Sequence, residues 1–153
     1  MEENKKIIVK AVYGAAIKTF RKIIRITYDE GRILGCTICR AKVKGALIEA
    51  VFDKSIRMKA EVQSHLHIWY HVDNDTKVIE VSTIFSDYLE IDKQGFENYC
   101  NEEAFIRLKE DPKCLETIYI TNAEKNQIAV QIEYTLEAEI IGDTVLNVKV
   151  FET

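Results

Sequence analysis

The three histidines of the chain lie close together, in the segment HLHIWYHV at residues 65–72. Successive side chains of a β-strand point to opposite faces, so the odd-numbered residues of this segment would share one face. These residues are His65, His67, Trp69 and His71. Two imidazoles on alternate residues of a strand are about 7 Å apart and can converge on one zinc ion. The spacing therefore makes the three histidines candidate metal ligands, provided that their face of the strand allows it.

Four cysteines form a second set of candidate metal ligands or redox groups. Cys36 and Cys39 make a C-x-x-C pair, but Cys100 and Cys114 are too far apart in the sequence to supply the second pair of a zinc ribbon. The segment around the pair, RILGCTICRAKV, is apolar enough for both thiols to be small buried hydrophobic groups. We favour that interpretation over zinc or redox chemistry, and we expect no permanent disulfides in a cytoplasmic protein.

The sequence contains no residue combination typical of an enzyme. Ser64 precedes His65, but neighbouring residues of a strand point to opposite faces, and no G-x-S-x-G motif is present. The charged segment KEDPKCLE at residues 109–116 is more typical of a solvated turn than of a site. We therefore expect neither catalysis nor a cofactor.

The strand that carries the histidines has a clear apolar side. Its even-numbered positions from residue 56 to residue 70 form an almost unbroken apolar row, as expected for a face that packs on a core. Its odd-numbered positions begin with Arg57, Lys59 and Glu61, which cannot all be buried without partners. The odd-numbered face is therefore predicted to be the outer face, and the simplest interpretation of the histidines is that they are solvated polar residues.

Trp69 is an exception on this charged face. A tryptophan flanked by histidines on an exposed face is typical of the centre of a protein–protein contact. We therefore predict an interface, and its candidate residues are Trp69, Tyr70, His67 and His71.

Alternation of apolar and polar residues runs through most of the chain and predicts a mainly β protein. Residues 127–139, QIAVQIEYTLEAE, have the pattern of a long half-buried antiparallel strand. The turn-like segment NAEKN should join it to the strand TIYIT, and DND should join the histidine strand to TKVIEVSTIF. Turns are also predicted at Gly14 and at Gly142-Asp143, after which TVLNVKVF would pair back as the last strand.

Two regions have a less regular pattern. Residues 31–52 fit either a strand or a short helix, and a second short helix fits the residues around Phe96 to Glu103. About eight strands at hairpin spacing predict an antiparallel β-sandwich or open barrel with at most one or two short helices. A chain of 153 residues has the length of one domain, so a single domain is expected over residues 1–153.

Composition and charge restrict the class of protein. Hydrophobic residues make up 47% and charged residues 30% of the chain, as in soluble globular proteins. The net charge of -4 and the pI near 5.5 argue against general binding of nucleic acid, which needs a surplus of lysine and arginine on one face. No segment resembles a signal peptide or reaches membrane-spanning length, so we expect a cytoplasmic protein without membrane insertion.

Six segments, spread over nearly the whole chain, form a recognisable series: IIVKAV, RILG, IWYHVDNDTKV, PKCLE, IAVQIEYTLEAEIIGDT and VKV. Each segment alone is a modest motif. The Trp-Tyr pair followed by the polar turn DNDTK, together with CLE and AEIIGDT, is a more specific combination. In order and rough spacing the series resembles the CotE family, the outer spore coat morphogenetic proteins of endospore-forming bacteria.

The resemblance implies a non-enzymatic scaffold that self-assembles in the mother-cell cytoplasm around the forespore and then forms part of the spore coat. The partners that it implies are other copies of the chain, other spore coat proteins and a basement-layer coat morphogenetic ATPase. Better-known members carry an acidic C-terminal tail that contacts coat proteins, whereas this sequence ends in VKVFET. We therefore expect assembly rather than recruitment through such a tail, and the resemblance implies no metal site.

The residues themselves leave a rival interpretation open. A monomeric β-sandwich could bind a sugar-like ligand by stacking on Trp69, or a metal ion through His65, His67 and His71. A scaffold would instead form homo-oligomers, either by pairing unprotected strand edges or by burying an outer sheet face. The two interpretations differ in oligomeric state.

Overall fold

The computed structural model describes residues 2–28, 32–92, 100–121 and 126–151, which form six long antiparallel strands. The strands are β1 (Glu2–Tyr28), β2 (Arg32–Val51), β3 (Ser55–Val72), β4 (Asp75–Asp92), β5 (Cys100–Thr121) and β6 (Asn126–Phe151). These described residues contain no helix, and therefore none that could span a membrane.

The strands form two three-stranded sheets that pack against each other. Sheet A has the order β1-β6-β5, and sheet B has the order β2-β3-β4. Across the sandwich β1 contacts β4, and β5 contacts β2. The edge strands therefore lie side by side in two pairs, with β6 and β3 in the middle of their sheets.

Alternating side chains of the two central strands build the core. On β6 the even-numbered residues from Ile128 to Ile140 are buried, and on β3 those from Ile56 to Ile68 are buried, as the sequence predicts. Ser64 belongs to the buried row of β3 and points away from its neighbour His65. The edge strands add further buried residues: Ile24, Ile26, Ile33, Leu89 and Ile91.

The predicted fold class is confirmed, and the two sheets form a sandwich rather than a closed barrel. Both predicted hairpins are present. β3 and β4 are joined at Asp73 and Asn74, whose φ angles of 49° and 63° suit a tight hairpin turn. β5 and β6 pair from Thr121 and Asn126 onward. The region 31–52, which the sequence leaves between strand and helix, is a strand from Arg32 to Val51.

Two of the predicted turns are wrong. Strand β1 continues through Gly14 with a bulge just before it, and β6 continues through Gly142 and Asp143. The C-terminal residues of β6 pair with the N-terminal residues of β1, as in Lys5 with Val148, rather than folding back. Both strands stay extended because each supplies the backbone hydrogen-bond partners of the other. The chain therefore has fewer and longer strands than its turn signals suggest.

The short helix expected around Phe96 to Glu103 is also wrong where the structure describes it. Cys100 to Glu103 belong to strand β5. The remaining part of that expectation, residues 93–99, lies outside the described residues.

Gly14 allows the two sheets to approach closely. A Cβ atom at this position would lie 2.9 Å from the backbone oxygen of Asp92 and 3.0 Å from Cγ2 of Ile91. The backbone oxygen cannot rotate away as a side chain could. Glycine is therefore required here by a close contact between β1 and the end of β4, and not by a turn.

The variant Gly14→Ala is expected to lower the free energy of unfolding by about 1–3 kcal/mol, because the added methyl group forces the sheets apart. Gly45→Ala is the matched control, since a Cβ atom at Gly45 would meet nothing within 4 Å. Urea denaturation of both variants measures the difference. Equal stabilities of the two variants would contradict the role given to Gly14.

A buried polar cluster joins the two sheets. Asp87 of β4 is 3% exposed, and its carboxylate accepts a hydrogen bond from the Tyr134 hydroxyl of β6 and pairs with the Lys22 ammonium of β1. The rings of Phe20 and Phe85 stack near Tyr134, with centroids 5.8 and 6.5 Å away. Burial raises the pKa of Tyr134, and the hydrogen bond to Asp87 adds to that rise. A buried carboxylate needs such partners, so the cluster fixes β4 against β1 and β6.

Candidate functional site

The outer face of sheet B carries the residues that the sequence singles out. Trp69 is 41% exposed and His71 is exposed, while His65 and His67 are half-buried. All four lie on the odd-numbered face of β3, opposite the buried even-numbered row. The predicted position of the histidines and the tryptophan on the outer face is therefore confirmed.

His67 has two close neighbours on this face. Its Nε2 atom lies 3.2 Å from Oε1 of Glu80, the residue that pairs with it on β4. The Trp69 ring meets the imidazole edge-on, with ring centroids 6.4 Å apart. These contacts orient His67 beside a carboxylate and an aromatic ring, which is ordinary for a polar residue on a sheet face.

A metal site is not assembled by the part of the chain that the structure describes. No three His, Cys, Asp or Glu side chains there are grouped so that they could hold one metal ion. The three histidines lie along one strand, and a tetrahedral zinc ion also needs ligands from other directions.

Two open grooves lie beside His65. One, of about 460 Å³, is lined by Ile38, Arg40, Ala41, Lys42, His65, Asp111 and Pro112. The other, of about 520 Å³, is lined by Arg40, His65, Leu66, His67, Glu80, Val81 and Ser82. Trp69 lines neither groove, so the tryptophan is not placed to stack on a ligand bound in them.

Tyr70 lies on the opposite face of β3 from Trp69. It is half-buried and packs against the core. Its even number in the alternating pattern already indicates the inner face. The structure thus separates the two neighbouring interface candidates, and only Trp69 presents its side chain on the outer face with His67 and His71.

The surroundings of Trp69 leave room for a partner. On β4 it pairs with Val78, which is also exposed, and on β2 it pairs with Gly35. A Cβ atom at Gly35 would meet nothing within 4 Å, and glycine itself brings no side chain to this position opposite Trp69. We call Trp69 and Val78 the Trp69 patch. Val78 lies on β4, which forms an edge of sheet B, and Trp69 lies one strand further in.

Strand β2, at one edge of sheet B, is repeatedly bulged. Its pairing with β3 shifts at four places, so Leu34, Cys39, Lys44 and Glu49 have no partner in the register. The shifts recur every five residues. Strand β5, at the neighbouring edge of sheet A, also shifts register at four places. Bulges twist an edge and break the row of hydrogen-bonding groups, so this side of the sandwich is protected against pairing with another strand.

Strand β4, at the other edge of sheet B, is fully regular. Its 18 residues pair with β3 without a register shift, from Asp75 with Val72 to Asp92 with Ser55. Among the described strands β4 is hydrogen-bonded to β3 alone. The adjacent strand β1 has one bulge in its pairing with β6, just before Gly14. We call the side of β4 that faces away from β3 the β4 edge; β1 approaches it closely at Asp92, and its regular geometry can accept a further strand.

Exposed apolar side chains accompany the β4 edge. Val78, Ile84 and Tyr88 are exposed, on alternating positions that belong to the outer face of sheet B. The ring of Tyr88 also packs under the Arg57 guanidinium, 4.4 Å from the ring centroid. These residues were not singled out from the sequence, and no signal in the sequence tells which strand of the sheet lies at an unprotected edge.

Comparison with known protein families gives a match that covers the chain. A family model for outer spore coat protein E (CotE) matches residues 3–153, essentially the whole chain. The match agrees with the resemblance of the six sequence segments. No curated protein and no solved structure matches the chain in the same comparisons.

Proposed function

The chain belongs to the outer spore coat protein E family, and from this premise we propose that it is a structural scaffold that assembles with copies of itself and organises outer coat proteins around the forespore. The observation that carries the proposal is the contrast between the two sides of the sandwich. One side is bulged on both edge strands, and the other presents the regular β4 edge.

Assembly through the β4 edge follows from backbone chemistry. A free edge offers a row of unpaired N–H and C=O groups, and the same edge of a second copy can satisfy them by antiparallel pairing. Because the side formed by β2 and β5 is bulged, pairing is directed to the opposite side of the molecule. A protein whose regular edge strands lie on one side only would form defined contacts rather than aggregate through every edge.

The Trp69 patch extends the same contact. A strand added to β4 continues sheet B, and its outward side chains would lie beside Val78 and Ile84 of β4. Trp69 pairs with Val78 and so lies one strand further in, within reach of a long side chain. An aromatic residue near the centre of such a contact is typical of those that contribute most to binding.

The cellular setting of the proposal follows the family. We place the chain first in the mother-cell cytoplasm and then in the spore coat, with other coat proteins and a basement-layer coat morphogenetic ATPase as partners. The role is structural and not enzymatic. Support for it comes from the family of outer spore coat proteins and from the surface features above. The rival role in which a ligand stacks on Trp69 has less support, because Trp69 lines neither groove beside His65.

Sedimentation velocity of the purified protein tests the proposal. We expect the wild type to sediment as oligomers at micromolar concentrations, and we expect Trp69→Ala to weaken self-association by about tenfold or more. Phe105→Ala is the matched control, because Phe105 is an aromatic residue of similar exposure, 50% against 41%, on the bulged strand β5. A wild type that stays monomeric, together with an inert Trp69→Ala variant, would count against the scaffold.

A further inference from the structure

Two cysteines from different sheets meet on the bulged side of the sandwich. The Sγ atoms of Cys36 in β2 and Cys114 in β5 are 3.1 Å apart, within the distance of a thiol–thiol hydrogen bond. In the register of each sheet Cys36 pairs with Ile68 and Cys114 pairs with Ile132, both of which are fully buried. The two cysteines are 78 residues apart in the sequence, so their spacing gave no indication that they would meet.

Both thiols are held in place by packing. They are half-buried, they are not bonded to each other, and they pack against the hydrophobic core. Each lies next to a bulge, since β2 shifts register just before Gly35 and β5 shifts just after Cys114. Because both cysteines lie opposite inward-facing residues and β2 contacts β5, their side chains meet between the two sheets.

The two thiols differ in acidity. The hydrogen bond to Cys114 raises the pKa of Cys36, and burial adds to that rise. The same hydrogen bond lowers the pKa of Cys114, although burial acts in the opposite direction. Cys114 is therefore the thiol that more readily becomes a thiolate.

We propose that Cys36 and Cys114 are an oxidisable dithiol that closes into a disulfide between sheet A and sheet B when the protein meets a peroxide. The Sγ atoms have to approach from 3.1 Å to about 2.05 Å. The remaining distance is about 1 Å, which small rotations of two side chains can cover. This inference does not depend on the scaffold function.

The reaction balances with hydrogen peroxide as the oxidant. The Cys114 thiolate attacks one peroxide oxygen, the O–O bond breaks, and hydroxide leaves, which makes Cys114 a sulfenic acid. Sγ of Cys36 then attacks Sγ of Cys114, the S–O bond breaks, and the hydroxyl group leaves as water with a proton from Cys36. Overall two thiols lose two electrons and two protons, and one peroxide becomes two water molecules.

The cross-link would fix the two sheets to each other on the side that the Asp87 cluster does not reach. Asp87 lies on β4, at one side of the sandwich, whereas β2 and β5 form the other side. In a reducing cytoplasm the pair remains a dithiol. Under oxidising conditions it becomes a covalent bridge that stabilises the folded chain.

Peptide mapping after mild oxidation tests the proposal. Reduced protein is treated with one equivalent of hydrogen peroxide, the remaining thiols are alkylated, and the digest is analysed by mass spectrometry. The expected product is a pair of peptides joined through Cys36 and Cys114. We also expect the midpoint of thermal unfolding to rise by about 10 °C, because the bridge closes a long loop, and to fall again with dithiothreitol.

Variants separate this bridge from other thiol chemistry. Cys36→Ala and Cys114→Ala should lose the peroxide-induced rise, whereas the matched control Cys39→Ser should keep both the rise and the cross-linked peptides. Full alkylation of Cys36 and Cys114 after peroxide, or a bridge from Cys36 to Cys39 instead, would overturn the proposal. Mapping of the wild type decides the question even if a variant fails to fold.

Discussion

Replacement of Asp87 by alanine is expected to lower the free energy of unfolding by about 3–5 kcal/mol, the largest loss that we predict for a single polar residue. Asp87 is the only carboxylate among the described residues that is buried, and it serves partners on two strands of the other sheet. Its removal leaves the hydroxyl of Tyr134 inside the core without its acceptor, and leaves the partly buried ammonium of Lys22 without its counter-ion. Chemical denaturation measures the loss.

Glu90→Ala is the matched control for this variant. Glu90 is an exposed carboxylate on the same strand, so its replacement should change stability by no more than about 0.5 kcal/mol. An Asp87→Ala variant as stable as Glu90→Ala would show that the cluster does not hold the sheets together.

Alkaline pH provides a second test of the same cluster. Burial and the hydrogen bond to Asp87 raise the pKa of Tyr134, so the folded state favours the protonated phenol. The stabilisation that comes from keeping this phenol protonated is fully present below the pKa of tyrosine in the unfolded chain, which is about 10. It is lost as the pH rises above that value. Tyr134→Phe should lower stability at neutral pH and reduce this alkaline loss. If the Tyr134→Phe variant loses as much stability at alkaline pH as the wild type does, other groups cause the loss.

The variant Ile84→Lys is expected to weaken self-association by about tenfold or more, with little effect on the stability of the monomer. Ile84 lies on the outer face of β4 and is 49% exposed, so its replacement removes little core packing. Lysine on an edge strand opposes pairing with another strand, because the added charge would lose water at the new contact. Light scattering across a concentration series measures the effect.

Leu47→Lys is the control for position and charge. Leu47 is 55% exposed and lies on β2, the bulged edge strand of the same sheet. The two substitutions therefore add the same charge and remove a similar amount of exposed apolar surface, but they lie on opposite edges of sheet B. We expect Leu47→Lys to assemble like the wild type. Equal weakening by both substitutions would mean that net charge, and not the β4 edge, controls association.

The parts of the fold that could be predicted from sequence are those set by local alternation. The even-numbered rows of β3 and β6 could be assigned to the core because period-two patterning and the charges of Arg57, Lys59 and Glu61 agree on the faces. The hairpin at Asp73 and Asn74 could also be predicted, because these residue types tolerate the positive φ that the turn requires.

Glycine was a misleading signal at two places. At Gly14 it serves the close approach of β4 to β1, and at Gly142 the strand simply continues opposite Ala11. A local pattern cannot distinguish a glycine in a turn from a glycine beneath a neighbouring strand, because the neighbour comes from a distant part of the chain. The number and length of the strands were therefore harder to predict than their faces.

The candidate site was only partly predictable for the same reason. Trp69 could be placed on the outer face, but Tyr70 belongs to the inner face by its own position in the alternation. The regular β4 edge depends on the order of strands in the sheet, which is a property of pairing between distant segments. Asp87 contacts Lys22, and Cys36 contacts Cys114, across the space between the two sheets. The spacing of residues along one strand cannot predict such contacts.

Electron microscopy of the purified wild-type protein, without an affinity tag, is the most direct test of assembly through the β4 edge. We expect ordered assemblies such as rings, fibres or sheets whose building unit is a dimer paired along the β4 edge, and we expect them to be lost in Ile84→Lys but kept in Leu47→Lys. A field of separate particles of the 17.7 kDa chain at the same concentrations, unchanged by either substitution, would contradict it.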